Sequence, residues 1–278
     1  MSKKALCIGI NNYPGTNMDL AGCVNDANDW TQALQARGYA VTTLLDDQAT
    51  KAAMVRALTD LIGGGASGDS LVITFSGHGT YQPDTDGDEV DGLDEALCPH
   101  DIRTGGALTD DEIRAIFGAR KGGVRVLLIA DSCHSGTVTR AAASEPEADA
   151  PRPRFMPMGN WLPKDKLPRN SAGNLITRLA VQATMVSPFV SVLLKKQGDL
   201  LLSGCQEGPN NYSYDARING RPNGAFTYYA LKTLKTLPAK ASYADWHKAI
   251  IAYLPSSSYP QSPQILGNSA ARKQKVFA

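Results

Sequence analysis

Two near-continuous apolar runs, Leu71-Val72-Ile73-Thr74-Phe75 and Val124-Arg125-Val126-Leu127-Leu128-Ile129-Ala130, do most to restrict the fold. A strand with one wet face alternates apolar and polar residues, and these runs do not. Both faces must therefore be covered, as in a mostly parallel sheet with helices on either side. The rest of the chain fits this pattern. Ala5 to Ile10 and Tyr39 to Leu45 read as further strands. Between them, Val24, Ala27, Trp30, Thr31 and Leu34 mark the inner stripe of a helix over about 22–37, which Gly38 ends. Thr50 caps a second helix with Met54, Val55, Leu58, Leu61 and Ile62 inward. Thr109 to Glu112 is a capping box before Ile113, Ile116 and Phe117. Asp199 to Ser203 is expected as a fifth strand, 225–237 and 243–254 as helices, and Gln274 to Ala278 as a short edge strand. The fold class is α/β.

The totals exclude several functions. A net charge of +1 over 278 residues gives no footprint for nucleic acid or an anionic membrane. Cys7, Cys23, Cys98, Cys133 and Cys205 are odd in number and lack a C-x-x-C pair, which points away from a disulfide framework or zinc knuckle and toward a reducing compartment. Polar Asn11 and Asn12 follow the first strand too soon for a secretory signal. Arg178, Gln182 and Pro188 interrupt the most apolar later stretch, Asn174 to Leu194. A cytoplasmic monomer is the expectation.

The chemistry is concentrated where the two apolar runs stop. One ends in Ser76-Gly77-His78-Gly79, the other in Asp131-Ser132-Cys133-His134-Ser135-Gly136. Carboxyl ends of parallel strands are where such sheets bind ligands. A thiol becomes a nucleophile only as thiolate, and an imidazole beside it can take the proton and later return it to a leaving amine. His78 is therefore the expected base and acid, and Cys133 the expected nucleophile. The backbone N–H groups of Gly79 and Cys133, at strand-to-loop turns, are the expected oxyanion donors. His134 is a poorer base because neighbours along an extended segment point to opposite sides.

These paired motifs resemble those of metacaspases and their bacterial relatives, in the caspase-haemoglobinase fold class, in which the His precedes the Cys by about 50 residues. The animal-caspase signature Q-A-C-x-G is absent. The resemblance covers about 4–137 and 199–229. It implies a single caspase-like peptidase domain over 1–278: a large-subunit-like part over about 1–139, a long insertion over 140–198 and a small-subunit-like part over 199–278. Asp131 and Ser76 lie two residues before the catalytic pair and should share its pocket. The resemblance adds Cys23 and Asp26. Carboxylates in a narrow pocket favour a planar guanidinium or an ammonium, so the expected substrates are proteins or peptides cut after Arg or Lys.

The acidic run from Asp84 to Glu95 matches a calcium loop poorly, because Glu89 stands where glycine is needed. The resemblance nominates Asp94, Asp110 and Asp111 for Ca2+ instead, but Arg140 replaces the carboxylate expected after the catalytic motif. No metal site and no required cofactor are expected, with Ca2+ the one ion left open. In the insertion, Arg152, Arg154, Lys164, Lys166, Arg169, Lys195 and Lys196 are candidate points of self-cleavage, the Lys195-Lys196 pair foremost. The rival reading is a non-catalytic caspase-like domain that binds calcium or a partner through its acidic loop.

Overall fold

The computed structural model describes residues 1–84, 93–133, 150–168, 199–206 and 211–278. In chain order its elements begin with strand β1 (Lys3–Gly9), helix α1 (Cys23–Gln35), β2 (Ala40–Leu45), α2 (Lys51–Gly63) and β3 (Ser70–Ser76). Next come β4 (Gly79–Pro83), β5 (Leu93–Leu97), α3 (Ile102–Gly105), β6 (Leu108–Thr109), α4 (Asp110–Gly118) and β7 (Arg125–Asp131). Then follow β8 (Arg152–Pro153), β9 (Leu200–Ser203), β10 (Tyr214–Ile218), β11 (Arg221–Gly224), α5 (Ala225–Leu234), α6 (Tyr243–Ile250), β12 (Gln264–Leu266) and α7 (Ser269–Arg272).

Six strands form the central sheet in the order β12-β9-β7-β3-β1-β2. All neighbours are parallel except the β12–β9 edge pair. The continuous apolar runs are explained by what covers them. Leu71, Ile73 and Phe75 of β3 join Val126, Leu128 and Ala130 of β7 in a core with α2 and α4. The alternate residues Val72, Leu127 and Ile129 pack in a second core with Trp30 and Leu34 of α1, Phe226 of α5 and Trp246 of α6. Each strand thus feeds two cores, as a sheet buried on both sides must.

Thr50 caps α2 by accepting the Ala53 N–H, and Thr109 and Glu112 make the reciprocal capping box of α4. One edge expectation fails. The tail 274–278 is not a strand; β12 takes that edge, pairing Gln264, Ile265 and Leu266 with β9. Phe277 instead packs edge-on against Tyr39, Tyr243 and Trp246, so its apolar surface is used as a plug for the second core. Two small antiparallel sheets, β4-β5-β6 and β11-β10-β8, extend the carboxyl side. Their short strands carry too little periodicity to be read in advance.

What matters for the site is register. Ser76 and Asp131 are paired across β3 and β7, so the two strands finish side by side. Both carry their last side chain on the α1 and α5 face, in step with Val72 and Leu127. Gly9 lets α1 press against the sheet, because a Cβ there would collide with the Cys23 carbonyl. That close approach carries Cys23 and Asp26, in the first turn of α1, to the ends of β3 and β7.

Candidate active site

The backbone N–H groups of Gly79 and Cys133 converge on a single oxygen. Both donate to the carbonyl of Arg154, at 3.0 and 3.1 Å. The expected oxyanion donors therefore do point at a common carbonyl, and it belongs to the chain itself. The Cys133 thiol is fully buried beside it. It accepts the Ser213 N–H at 2.5 Å and lies 3.5 Å from the Cys205 sulfur. Burial, followed by the Cys205 thiol, pushes the Cys133 thiol well above its ordinary value.

His78 is equally enclosed. Its N–H donates to the Tyr13 hydroxyl, and its ring tilts on Tyr13 with centroids 5.0 Å apart. The ring Nε2 lies 2.6 Å from the Met18 carbonyl, an atom that can only accept, so Nε2 carries the proton and Nδ1 the lone pair. Nδ1 is buried without a hydrogen-bond partner among the described residues. Burial pulls the imidazole down to about 4, partly opposed by the Met18 carbonyl, and the Arg154 backbone also favours the charged ring. At neutral pH the site holds a neutral imidazole and a protonated thiol.

The residues predicted to form a pocket do come together, and the pocket is full. Arg154, with no exposed surface, places Nη2 2.7 Å from Asp26 and 2.9 Å from Asp215, and Nη1 3.2 Å from Asp131. Each carboxylate is fixed from behind. Asp26 accepts from Ser76 Oγ, Asn223 Nδ2 and the Gly224 N–H. Asp131 accepts from Thr227 N–H and Oγ1 and from Ser213 Oγ. Asp215 accepts the N–H groups of Ala21 and Gly22 at the start of α1. Gly224 is required here because a Cβ would strike both the Asp131 carboxylate and the Arg154 guanidinium. Burial lifts Asp26 to about 6, against the pull of Arg154 and with the push of Asp131. Cys23 is buried near the same guanidinium, its thiol raised well above normal by burial, and its backbone N–H donates to Asn11 Oδ1 at 2.8 Å.

Three participants escape sequence reasoning, Asp215, Ser213 and Cys205, and a fourth, Arg154, is foreseen only as one of seven candidate cleavage points. Arg154 sat in a polar insertion with no periodicity. The signal that could have found it is the sudden apolar content of Phe155, Met156 and Met158 directly after it, all buried. Phe155 and Met158 pack beside Cys133, and an open cavity of about 620 Å³ lined by Asp29, Gln32, Tyr228 and Lys232 lies elsewhere.

The carboxylates nominated for Ca2+ do not form a ligand set. Among the described residues no three potential ligands converge as a metal site. Asp111 is paired with Arg114. Asp110 is buried, neither of its oxygens has a hydrogen-bond partner, and it is raised to about 7 by burial and then by Glu95 and Asp94. Residues 85–92, with the centre of the acidic run, lie outside the described residues, as do His134, Arg140, Arg169 and the Lys195-Lys196 pair.

Comparison with known proteins agrees with this architecture. The metacaspase, peptidase C14 domain family matches residues 3–141. Metacaspase-1B of Aspergillus oryzae is 33% identical over 285 residues, covering 95% of this chain and 67% of that protein. Metacaspase-1 of Meyerozyma guilliermondii is 32% identical over 289 residues, covering 95% and 68%. Among solved structures, protein GSU0716 from Geobacter sulfurreducens superposes with a TM-score of 0.70 at 30% identity, over 100% of this chain and 99% of that one. With a matching family domain and relatives aligned over nearly its whole length, the chain belongs to the metacaspase family and is a cysteine-type endopeptidase.

Proposed function

We propose that this peptidase cuts after Arg or Lys, with Cys133 as nucleophile and His78 as general base and then general acid. The observation that supports the specificity is Arg154: an arginine whose side chain lies among Asp26, Asp131 and Asp215 while its carbonyl receives the Gly79 and Cys133 N–H groups. A substrate arginine seated the same way presents its carbonyl carbon to the thiol with the oxyanion donors already aimed. His78 Nδ1, its lone pair free because Nε2 is committed to Met18, takes the thiol proton. Sulfur attacks, the tetrahedral oxygen is held by the two N–H groups, and the leaving amine departs with the proton that His78 returns. Water then hydrolyses the thioester. Ser76 acts through Asp26, which it orients.

Thiol and imidazole complete this chemistry without a resident cofactor, so none is part of the proposal, and a monomer working in the cytoplasm on protein substrates is sufficient. Hydrolysis of an arginyl fluorogenic peptide tests it. Cys133→Ala should abolish turnover while the far-ultraviolet circular dichroism spectrum is kept. Full activity in that variant, or labelling of a different thiol by an arginyl chloromethyl ketone, would refute the assignment.

A further inference from the structure

Peptide hydrolysis leaves one thiol beside the nucleophile without a task. Cys133 follows β7 and Cys205 follows β9, parallel neighbours whose last paired residues are Ala130 and Ser203. The Gly204 N–H donates to the Ala130 carbonyl at 2.8 Å, so the two chains leave the sheet still joined. Beyond it the backbone is fixed: Gln261 Nε2 donates to the Gly204 carbonyl at 2.9 Å, and Ser203 Oγ to the Cys205 carbonyl at 2.9 Å. The sulfurs of Cys133 and Cys205 arrive 3.5 Å apart, and the Cys205 thiol also faces the Ser132 carbonyl at 3.6 Å. Cys7, Cys23 and Cys98 belong to the two main cores, whereas Cys205 shares the small buried cluster of Cys133 with Tyr81 and Phe155. A disulfide holds its sulfurs about 2.05 Å apart, so this pair has only about 1.5 Å to close.

We propose that Cys205 is the resolving thiol of the active site: under peroxide it captures oxidised Cys133 as a Cys133–Cys205 disulfide, which stops the enzyme reversibly and spares its nucleophile. The inference rests on Cys133 being that nucleophile and adds a modification to it. Ionised Cys133 attacks the O–O bond of hydrogen peroxide, the sulfur keeps one oxygen as a sulfenic acid, and hydroxide leaves. The thiol proton held by His78 turns that hydroxide into water. Cys205 sulfur then bonds to Cys133 sulfur, the S–O bond breaks, and the oxygen departs with the Cys205 proton as a second water. Two thiols have lost two electrons, and one peroxide has become two waters. While buried and protonated, Cys133 is a poor target for oxidants; the exposed thiolate that attacks substrate is the form at risk, and Cys205 stands next to it. Without a partner thiol, a sulfenic acid meets a second peroxide and becomes a sulfinic acid, which thiol reductants do not reverse. A disulfide is returned to two thiols by exchange.

The test measures hydrolysis of an arginyl fluorogenic peptide after hydrogen peroxide and again after dithiothreitol, each protein being referred to its own activity under reductant. Peptide mapping by mass spectrometry, after free thiols are alkylated, locates any disulfide. Wild type should lose about tenfold or more of its activity and regain nearly all of it, with the Cys133 and Cys205 peptides linked. Cys205→Ala should lose as much and regain less than about a tenth, with Cys133 carrying two added oxygens. Cys205→Ser cannot form the bond either and should behave as alanine does, which keeps the comparison open if alanine disturbs folding. Wild type untouched by peroxide, equal recovery in wild type and variants, or linkage of Cys133 to a different cysteine would overturn this inference and leave the peptidase assignment standing. No hydrolysis by wild type under reductant would overturn the nucleophile assignment instead, and the map, which needs no turnover, would still show whether the two sulfurs join.

Discussion

Among the described residues, two groups of buried acids meet the same electrostatic problem in different ways. Asp26, Asp131 and Asp215 surround a guanidinium and are backed by amide, hydroxyl and helix-end donors. At the start of α4, Asp110 feels the charges of Glu95 and Asp94 on β5, has no donor to either oxygen among the described residues and is lifted to about 7. Burying a carboxylate disfavours its charge in both places. In the first the protein supplies a cation and an oriented set of donors; in the second it leaves a proton to do that work. The contrast identifies the first cluster as one shaped around a cationic side chain, and Asp110 as a buried acid held by a proton where a donor set is missing among the described residues.

The largest effect should come from breaking the first cluster against substrate. Asp131→Ala removes one partner of a buried, hydrogen-bonded charge pair, a loss of about 2–5 kcal/mol. In kcat/KM for an arginyl peptide that is roughly thirtyfold to several thousandfold. A decrease below about tenfold would mean that the substrate's charge is not received here.

Next in size is stability. In the inactive Cys133→Ala background, Arg154→Met leaves three acids facing one another, with an expected cost of about 3–5 kcal/mol in urea unfolding at pH 7.5. Asp26 is already raised to about 6, and without the guanidinium it should rise further, so near pH 5 it is neutral and the cost should shrink. An equal penalty at both pH values would show that packing, and not charge, holds Arg154 in place.

The pocket was only partly legible in the sequence. His78 and Cys133 stand out because each ends an apolar run that can only be a covered strand, and Asp131 and Ser76 follow by strand alternation. Asp26 needed the family resemblance, since an acid in the first turn of a helix is explained by the helix alone. Asp215 was not legible as a pocket acid, and Arg154, though one of the candidate cleavage points, was not legible as the side chain that fills the pocket. They meet through the three-stranded β11-β10-β8 sheet, whose β8 member has two residues and no pattern to read. The misassigned tail 274–278 has the same origin: Val276 and Phe277 are apolar at strand-like spacing, but what decides their conformation is the aromatic socket of Tyr39, Tyr243 and Trp246.

The smallest effect belongs to the second cluster and is carried by pH. Asp110 has a folded-state value of about 7 against an ordinary 3.8, so between these limits the folded protein holds a proton that the unfolded chain has released. Its contribution is fully present below pH 4 and is lost as pH rises through 7. Asp110→Asn removes the charge and should raise stability above pH 7.5 by about 1 kcal/mol, a gain of about 2–4 °C in Tm for a chain of this size, while changing little at pH 5. Its kcat/KM for arginyl peptides should match wild type, because the reacting carbonyl is held elsewhere. Repeating the melts with millimolar CaCl2 sharpens the contrast between the clusters. With no three ligands converging among the described residues, wild type and variant should melt unchanged by the ion. A rise confined to wild type would show that this cluster takes a metal ion where the pocket takes a guanidinium.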